Sequence, residues 1–184
     1  MAAFFRRQIL GAGSANAHRD TQQLLQPSTQ PYILLVDRAA SRLLKDNSTR
    51  TFEEITRVLR EEGGLTNLEA VRMEDIPEEG QFEKVMRASI LIGVHGAALT
   101  NMVWQPPVDS TVIEIGFQPR KPDYPNMARV VGRAYRYLAA EGVEEKIDLN
   151  PIAWKRVYVD SRKLLAVVQD VLVERTERKE WLCC

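Results

Sequence analysis

The residues best suited to chemistry lie in one stretch, Ser89-Ile90-Leu91-Ile92-Gly93-Val94-His95-Gly96-Ala97-Ala98-Leu99-Thr100-Asn101. Ile90 to Ile92 form a short apolar run of the kind that makes a buried strand. Gly93 and the pair His95-Gly96 follow, then small residues and a helical stretch that Pro106 must end. The pattern predicts a strand, a tight turn and a helix N-terminus. Free N–H groups and a partial positive charge at a helix start suit a phosphate. Ala97 and Ala98 would let such a ligand approach the backbone. His95 either bonds a phosphate oxygen or braces the turn; its type admits both.

Two further places could join this turn. Arg38 and Arg42 stand in the loop Asp37-Arg38-Ala39-Ala40-Ser41-Arg42, just after the apolar run Tyr32-Ile33-Leu34-Leu35-Val36. Open α/β sheets bind ligands at the carboxyl ends of their strands. Two guanidinium groups there can grip a diphosphate through bidentate bonds; the alternative is a pair of solvated arginines on a polar loop. Glu114 interrupts the run Thr111-Val112-Ile113-Glu114-Ile115 near its carboxyl end. It is either an exposed strand-end acid or an acceptor for ribose hydroxyls. A helix start contributes roughly 0.3 to 1 kcal/mol, about 2 when sheltered. An arginine–phosphate bond adds roughly 1.5 to 3 kcal/mol. A micromolar ligand needs about 8 kcal/mol, so the helix start alone is too weak and at least one arginine must take part.

These residues need elements to position them. The continuous run 32–36 fits a strand buried on both faces, as in parallel sheets. Thr51-Phe52-Glu53-Glu54 is a capping box, and Phe52, Ile55 and Leu59 keep helical spacing until Gly63-Gly64. Leu68 to Val71 predicts a second strand, and Glu78 to Arg87 a second helix with Phe82, Val85 and Met86 inward. After strand 111–115, Tyr124 to Gly132 predicts a helix with Met127, Val130 and Val131 inward. Arg133 to Leu138 alternates like a half-exposed strand. Glu141 to Asn150 is a charged connection. Val157-Tyr158-Val159 is a short strand, and Asp160 or Ser161 caps a last helix with Leu164, Leu165, Val168, Val171 and Leu172 as its stripe. Strands and helices alternate, which predicts a doubly wound, mostly parallel, Rossmann-like α/β sheet. Its crossovers would bring the Arg38 loop and the His95 turn to one sheet edge. Residues 1–31 read as a flexible arm or the remnant of a missing lobe, 32–175 as the α/β domain, and 176–184 as a charged tail.

Bulk properties narrow the class. The chain has 184 residues with 25 basic and 25 acidic side chains. That balance gives no case for a nucleic-acid partner, whose binding relies on a basic face. No apolar stretch approaches the roughly 18 residues that span a bilayer, and the N-terminus does not read as a signal peptide. Both cysteines, Cys183 and Cys184, sit at the end, and no Cys/His spacing resembles a metal site. Asn47-Ser48-Thr49 is a glycosylation sequon beside the arginine loop.

The segment His95-Gly96-Ala97-Ala98-Leu99-Thr100-Asn101, with Pro106-Pro107 and Val112-Ile113-Glu114-Ile115, resembles the signature of glycosyltransferase family 61. That family includes plant xylan arabinosyl- and xylosyltransferases and animal O-linked N-acetylglucosaminyltransferases. Its usual form is His-Gly-Ala-Gly-Leu-Thr-Asn, so Ala98 replaces a glycine. Arg38 and Arg42 are similar to the family's spaced arginines, and Tyr124 and the segment from Gly132 to Tyr137 also fit. The resemblance spans about residues 32 to 175. It implies the donor lobe of a glycosyltransferase-B-type enzyme that binds a nucleotide sugar, usually a uridine diphosphate sugar. It further implies inverting transfer to a glycan or glycoprotein, no metal or other cofactor, and the lumen of the Golgi or endoplasmic reticulum. The implied donor-binding residues are Arg38, Arg42, His95, Gly96, Ala97, Ala98, Leu99, Thr100, Asn101 and Glu114. The family's acceptor lobe, and with it the general base, would lie upstream, and no base stands out in this chain.

Two other readings compete. One is a catalytically incomplete module that binds a nucleotide or a partner without transferring sugar. The other is a generic α/β phosphate-binding domain, which would hold uridine and adenosine diphosphates equally.

Overall fold

The computed structural model describes residues 31–37, 43–46, 52–116, 122–145 and 154–182. Five strands form the main sheet: β1 (Ile33–Asp37), β3 (Leu68–Arg72), β4 (Ile90–Val94), β5 (Thr111–Gly116) and β6 (Ala134–Ala139). Their order is β3-β1-β4-β5-β6, and every pairing is parallel. The fold is the expected Rossmann-like α/β sheet with flanking helices. β1, β4 and β5 are buried along their whole length, as parallel strands covered on both faces must be. β6 at the edge is half-exposed.

The helices divide between the two faces. Helix α1 (Phe52–Glu61) and helix α4 (Ser161–Leu182) cover the first face. There Phe52, Ile55, Leu59, Leu164 and Val168 pack on Ile33, Leu35, Ile92 and Ile113. Helix α2 (Glu78–Arg87), the 3-10 helix Ala97–Trp104 and helix α3 (Asp123–Val130) cover the second face. There Val85, Leu99, Met102, Tyr124 and Ala128 pack on Leu34, Val36, Leu91 and Val112. Asp160 caps α4 as expected, its Oδ1 accepting from the N–H groups of Arg162 at 2.9 Å and Lys163 at 3.2 Å. Thr51 of the expected capping box lies outside the described residues.

Four details depart from the sequence reading. A second sheet, ordered β2-β8-β7, pairs β2 (Leu43–Asp46) in parallel with β8 (Trp154–Val159), and β8 antiparallel with β7 (Gly142–Glu145). β2 and β7 are short, and β7 falls in the stretch read as a charged connection. Val130, expected inward on α3, is 81% exposed, because Tyr124 and Ala128 take the buried positions of that helix. α4 continues to Leu182, through residues that their charge assigned to a tail. The stretch after His95 winds as a 3-10 helix, with Leu99 N–H donating to Gly96 O at 2.9 Å. Side chains three apart eclipse in such a helix. Leu99, Met102 and Gln105 accordingly share one fully buried line that runs just past its end.

Sheet order fixes where a ligand belongs. From β1 the chain passes to β3 on one side, then crosses to β4 on the other. The carboxyl ends of β1 and β4 therefore flank the topological switch point, where open α/β sheets bind ligands. Val36 pairs with Gly93, so the chain leaves β1 at Asp37 beside the end of β4.

Candidate functional site

His95 is the first residue beyond β4. Its N–H donates to Ile115 O at 2.8 Å, which extends the sheet pairing by one residue. That N–H is thus committed to the sheet. Gly96 follows at φ 157° and ψ 175°, a region that glycine reaches readily and a Cβ resists. The chain there turns from strand to 3-10 helix. Gly93, the penultimate residue of β4, leaves room for Leu99: a Cβ on it would lie 3.1 Å from Leu99 Cδ2.

The signature residues separate by exposure. Leu99 is fully buried in the second-face core, so its side chain serves packing. Burying it contributes roughly 1.5 to 3 kcal/mol. Ala97 and Thr100 are exposed, and Ala98 and Asn101 are partly so. The Thr100 hydroxyl donates to Ala97 O at 2.6 Å. The small, accessible face of the motif is therefore Ala97 and Ala98, where the first N–H groups of the helix lack an intrahelical acceptor by position.

Glu114 sits on β5 in register with Gly93 and with Tyr137 of β6. It faces the second layer, under the 3-10 helix and α3. It is 1% exposed. His95 Nδ1 lies 2.5 Å from its Oε1, and the Tyr135 hydroxyl donates to its Oε2. Tyr124 of α3 meets the His95 ring edge-on, with centroids 5.0 Å apart and planes at 75°. Glu114 was expected either at an exposed strand end or on a ribose. The first expectation is corrected by its burial. Both of its oxygens have internal hydrogen-bond partners, His95 Nδ1 and the Tyr135 hydroxyl. Tyr135 escaped the sequence reading as a site residue. It stands 21 positions from Glu114, and only the β5–β6 register brings the two together.

Arg38 and Arg42 lie outside the described residues, as does the sequon at Asn47. The ends they adjoin are described. Asp37, 1% exposed, closes β1 on the first face. Arg72 of β3 approaches it, Nε to Oδ2 3.6 Å, and also reaches Glu53 Oε1 at 3.1 Å. A cavity of about 370 Å³ opens beside this cluster between α1 and β3, lined by Phe52, Thr56, Arg60 and Arg72 among others. It is separate from the His95 turn.

A strand, a glycine turn and a small-residue helix start thus stand at a switch point, with a histidine held by a buried acid. The sequence model for the glycosyltransferase 61 family matches residues 5–113, more than half of the chain. The chain belongs to the glycosyltransferase 61 family. The match takes in the whole His95–Asn101 signature and ends one residue before Glu114. It also takes in residues 5–30, which the sequence pattern assigned to an arm. No curated protein matches the chain. Membership makes this a glycosyltransferase domain, whose partners are a sugar donor and a glycan or protein acceptor. No helix among the described residues is long and apolar enough to cross a membrane.

Proposed function

We propose that this chain is the donor lobe of an inverting, metal-independent glycosyltransferase of the B type, and that its donor is a uridine diphosphate sugar. The observation that carries the reading is the position of the His95 turn at the β1/β4 switch point, next to the strand end from which the arginine loop departs. In this reading the diphosphate lies over Ala97 and Ala98, with Arg38, Arg42 and His95 around it. Gly96 permits the turn, and Thr100 and Asn101 line its outer side. The acceptor hydroxyl attacks the anomeric carbon, and the bond to the phosphate oxygen breaks. Negative charge grows on the departing diphosphate, where arginines and the helix start stabilise it. A second lobe supplies the acceptor site and the base that takes the hydroxyl proton. Transfer takes place in the Golgi or endoplasmic reticulum lumen.

The test is calorimetric titration of the full chain with uridine diphosphate, adenosine diphosphate as control and chelator present. Uridine-selective binding is the expected outcome. Equal affinity for the two nucleotides would favour a generic phosphate-binding domain. Saturable binding without donor hydrolysis or transfer would favour an incomplete module. Arg42→Ala should weaken uridine diphosphate at least about tenfold, the scale of one lost charge-assisted bond. Unchanged affinity would remove the arginine clamp.

A further inference from the structure

The donor reading makes no use of the cavity between α1 and β3. That cavity lies on the first face of the sheet, where Phe52 and Ala70 pack, whereas the His95 turn leads into the 3-10 helix on the second face. β1 stands between β3 and β4. Neighbouring strands are about 4.8 Å apart, so β3 and β4 lie about 10 Å from each other. The cavity is thus a separate place. Its volume of about 370 Å³ falls within the roughly 300 to 1,000 Å³ of small-ligand sites.

Its lining carries two cations, Arg60 and Arg72, and two anions, Glu53 and Asp75. An anionic ligand would meet both acids and a cationic one both guanidinium groups, whereas a neutral ligand meets no net opposition. Donors and acceptors stand on both sides. Arg60 uses one of its five N–H groups on Leu68 O, at 2.8 Å. The Thr56 hydroxyl gives its proton to Phe52 O at 2.8 Å, which leaves its oxygen as an acceptor. Arg72 holds Glu53 Oε1 at 3.1 Å, with its guanidinium 5.9 Å from the centre of the Phe52 ring. Asp75 offers an exposed carboxylate just past the end of β3. Phe52 and Ala70 add carbon surface between these groups. Hydroxyls both donate and accept, so a polyol answers such a wall, and its ring C–H groups answer the carbon surface. We infer that the α1–β3 cavity binds a neutral saccharide, one or two units of a glycan acceptor held away from the reacting centre, with Arg60 as donor and Asp75 as acceptor to its hydroxyls. Family membership already gives the domain a glycan or protein acceptor. No nucleotide takes part, so the inference does not depend on the donor-lobe reading.

Ala70 lines the cavity, and Ala97 and Ala98 line the turn, so alanine methyl spectra of the full chain tell the two places apart. The labelled chain is titrated with cellobiose, xylobiose and N,N′-diacetylchitobiose, and separately with glucuronic acid and inorganic phosphate. At least one neutral disaccharide should shift the Ala70 methyl saturably and leave Ala97 and Ala98 unmoved. Arg60→Met keeps the aliphatic stem and loses the donors; it should weaken that sugar about tenfold, the scale of one lost bond to a charged group. Asp75→Ala, at an exposed position, should weaken it similarly, and it serves if Arg60→Met fails to fold. Three results would each overturn the inference: no saturable shift at Ala70 with any of the disaccharides, tighter binding of glucuronic acid or phosphate than of every neutral sugar, or unchanged affinity in the folded variants. Failure of the donor reading looks different: uridine diphosphate then leaves Ala97 and Ala98 unmoved, while Ala70 still answers the sugar.

Discussion

Gly116 ends β5 directly beneath the Tyr137 ring, where a Cβ would come within 2.5 Å of Tyr137 Cε2. The contact is with a ring carbon, which cannot give way as the tip of a flexible chain can. Gly116→Ala should therefore displace Tyr137 and cost about 1 to 3 kcal/mol, the usual penalty for overpacking. The midpoint of urea unfolding checks this, and an unchanged midpoint would mean that the ring moves freely. Two positions upstream on β5, Glu114 was visible in the sequence as an acid in an apolar run. Its partners were not, because His95 and Tyr135 lie 19 and 21 positions away and only strand register joins them. A single chain thus showed which residue was unusual, but not what it held.

At the scale of elements, β3 and α2 are tied by Glu69. Lys84 Nζ lies 2.5 Å from Glu69 Oε1, and the Tyr32 hydroxyl donates to Oε2. Burial pushes the Glu69 carboxyl up, but the bonds from Lys84 and Tyr32 and the charges of Lys84 and Arg87 outweigh it and hold it below its ordinary value. Burial and the neighbouring Glu69 push the Tyr32 phenol upward. For Glu69 the folded value lies below the unfolded one, near 4.3. Its contribution to stability is present above about pH 4.3 and is lost as pH falls through the depressed value. Lys84→Ala should flatten the loss of stability between about pH 6 and pH 3, measured as urea midpoints; parallel curves would exclude the tie as a source of acid sensitivity. The long elements were legible because each carries its own period. The 3-10 helix was legible only in its placement: Leu99, Met102 and Gln105 repeat every third residue, but a buried glutamine disguises the stripe. β2 and β7 have four residues each and no independent pattern, so their pairing with β8 could not be read locally.

At the scale of the molecule, α4 is locked to the connection between the 3-10 helix and β5. Arg175, 7% exposed, donates to the main-chain carbonyl of Asp109 and meets its Oδ2 at 2.8 Å. Asp109 itself adopts a left-handed φ of 57°. Arg175→Ala should cost about 1.5 to 3 kcal/mol, the scale of hydrogen bonds to a charged group, read as a lower unfolding midpoint. If the donor reading holds, uridine diphosphate at about a hundred times its Kd should stabilise the whole fold by about 2.7 kcal/mol. A thermal shift given by uridine but not adenosine diphosphate would register this. The overall architecture was legible because alternation of strand and helix admits few parallel topologies. The second sheet was not, because it joins β2 to strands about a hundred positions further along the chain.

That sheet also sets an order of events during synthesis. β2 spans Leu43–Asp46, and the strand it pairs with begins over a hundred positions later. At about 5 to 20 residues per second, β2 waits several seconds on the ribosome before β8 is made. β1, β3 and β4 can by then have assembled among themselves. The small sheet consequently closes late, with only α4 still to follow, and a chaperone that shields one short strand for that interval would matter more to this domain than one that guards its centre.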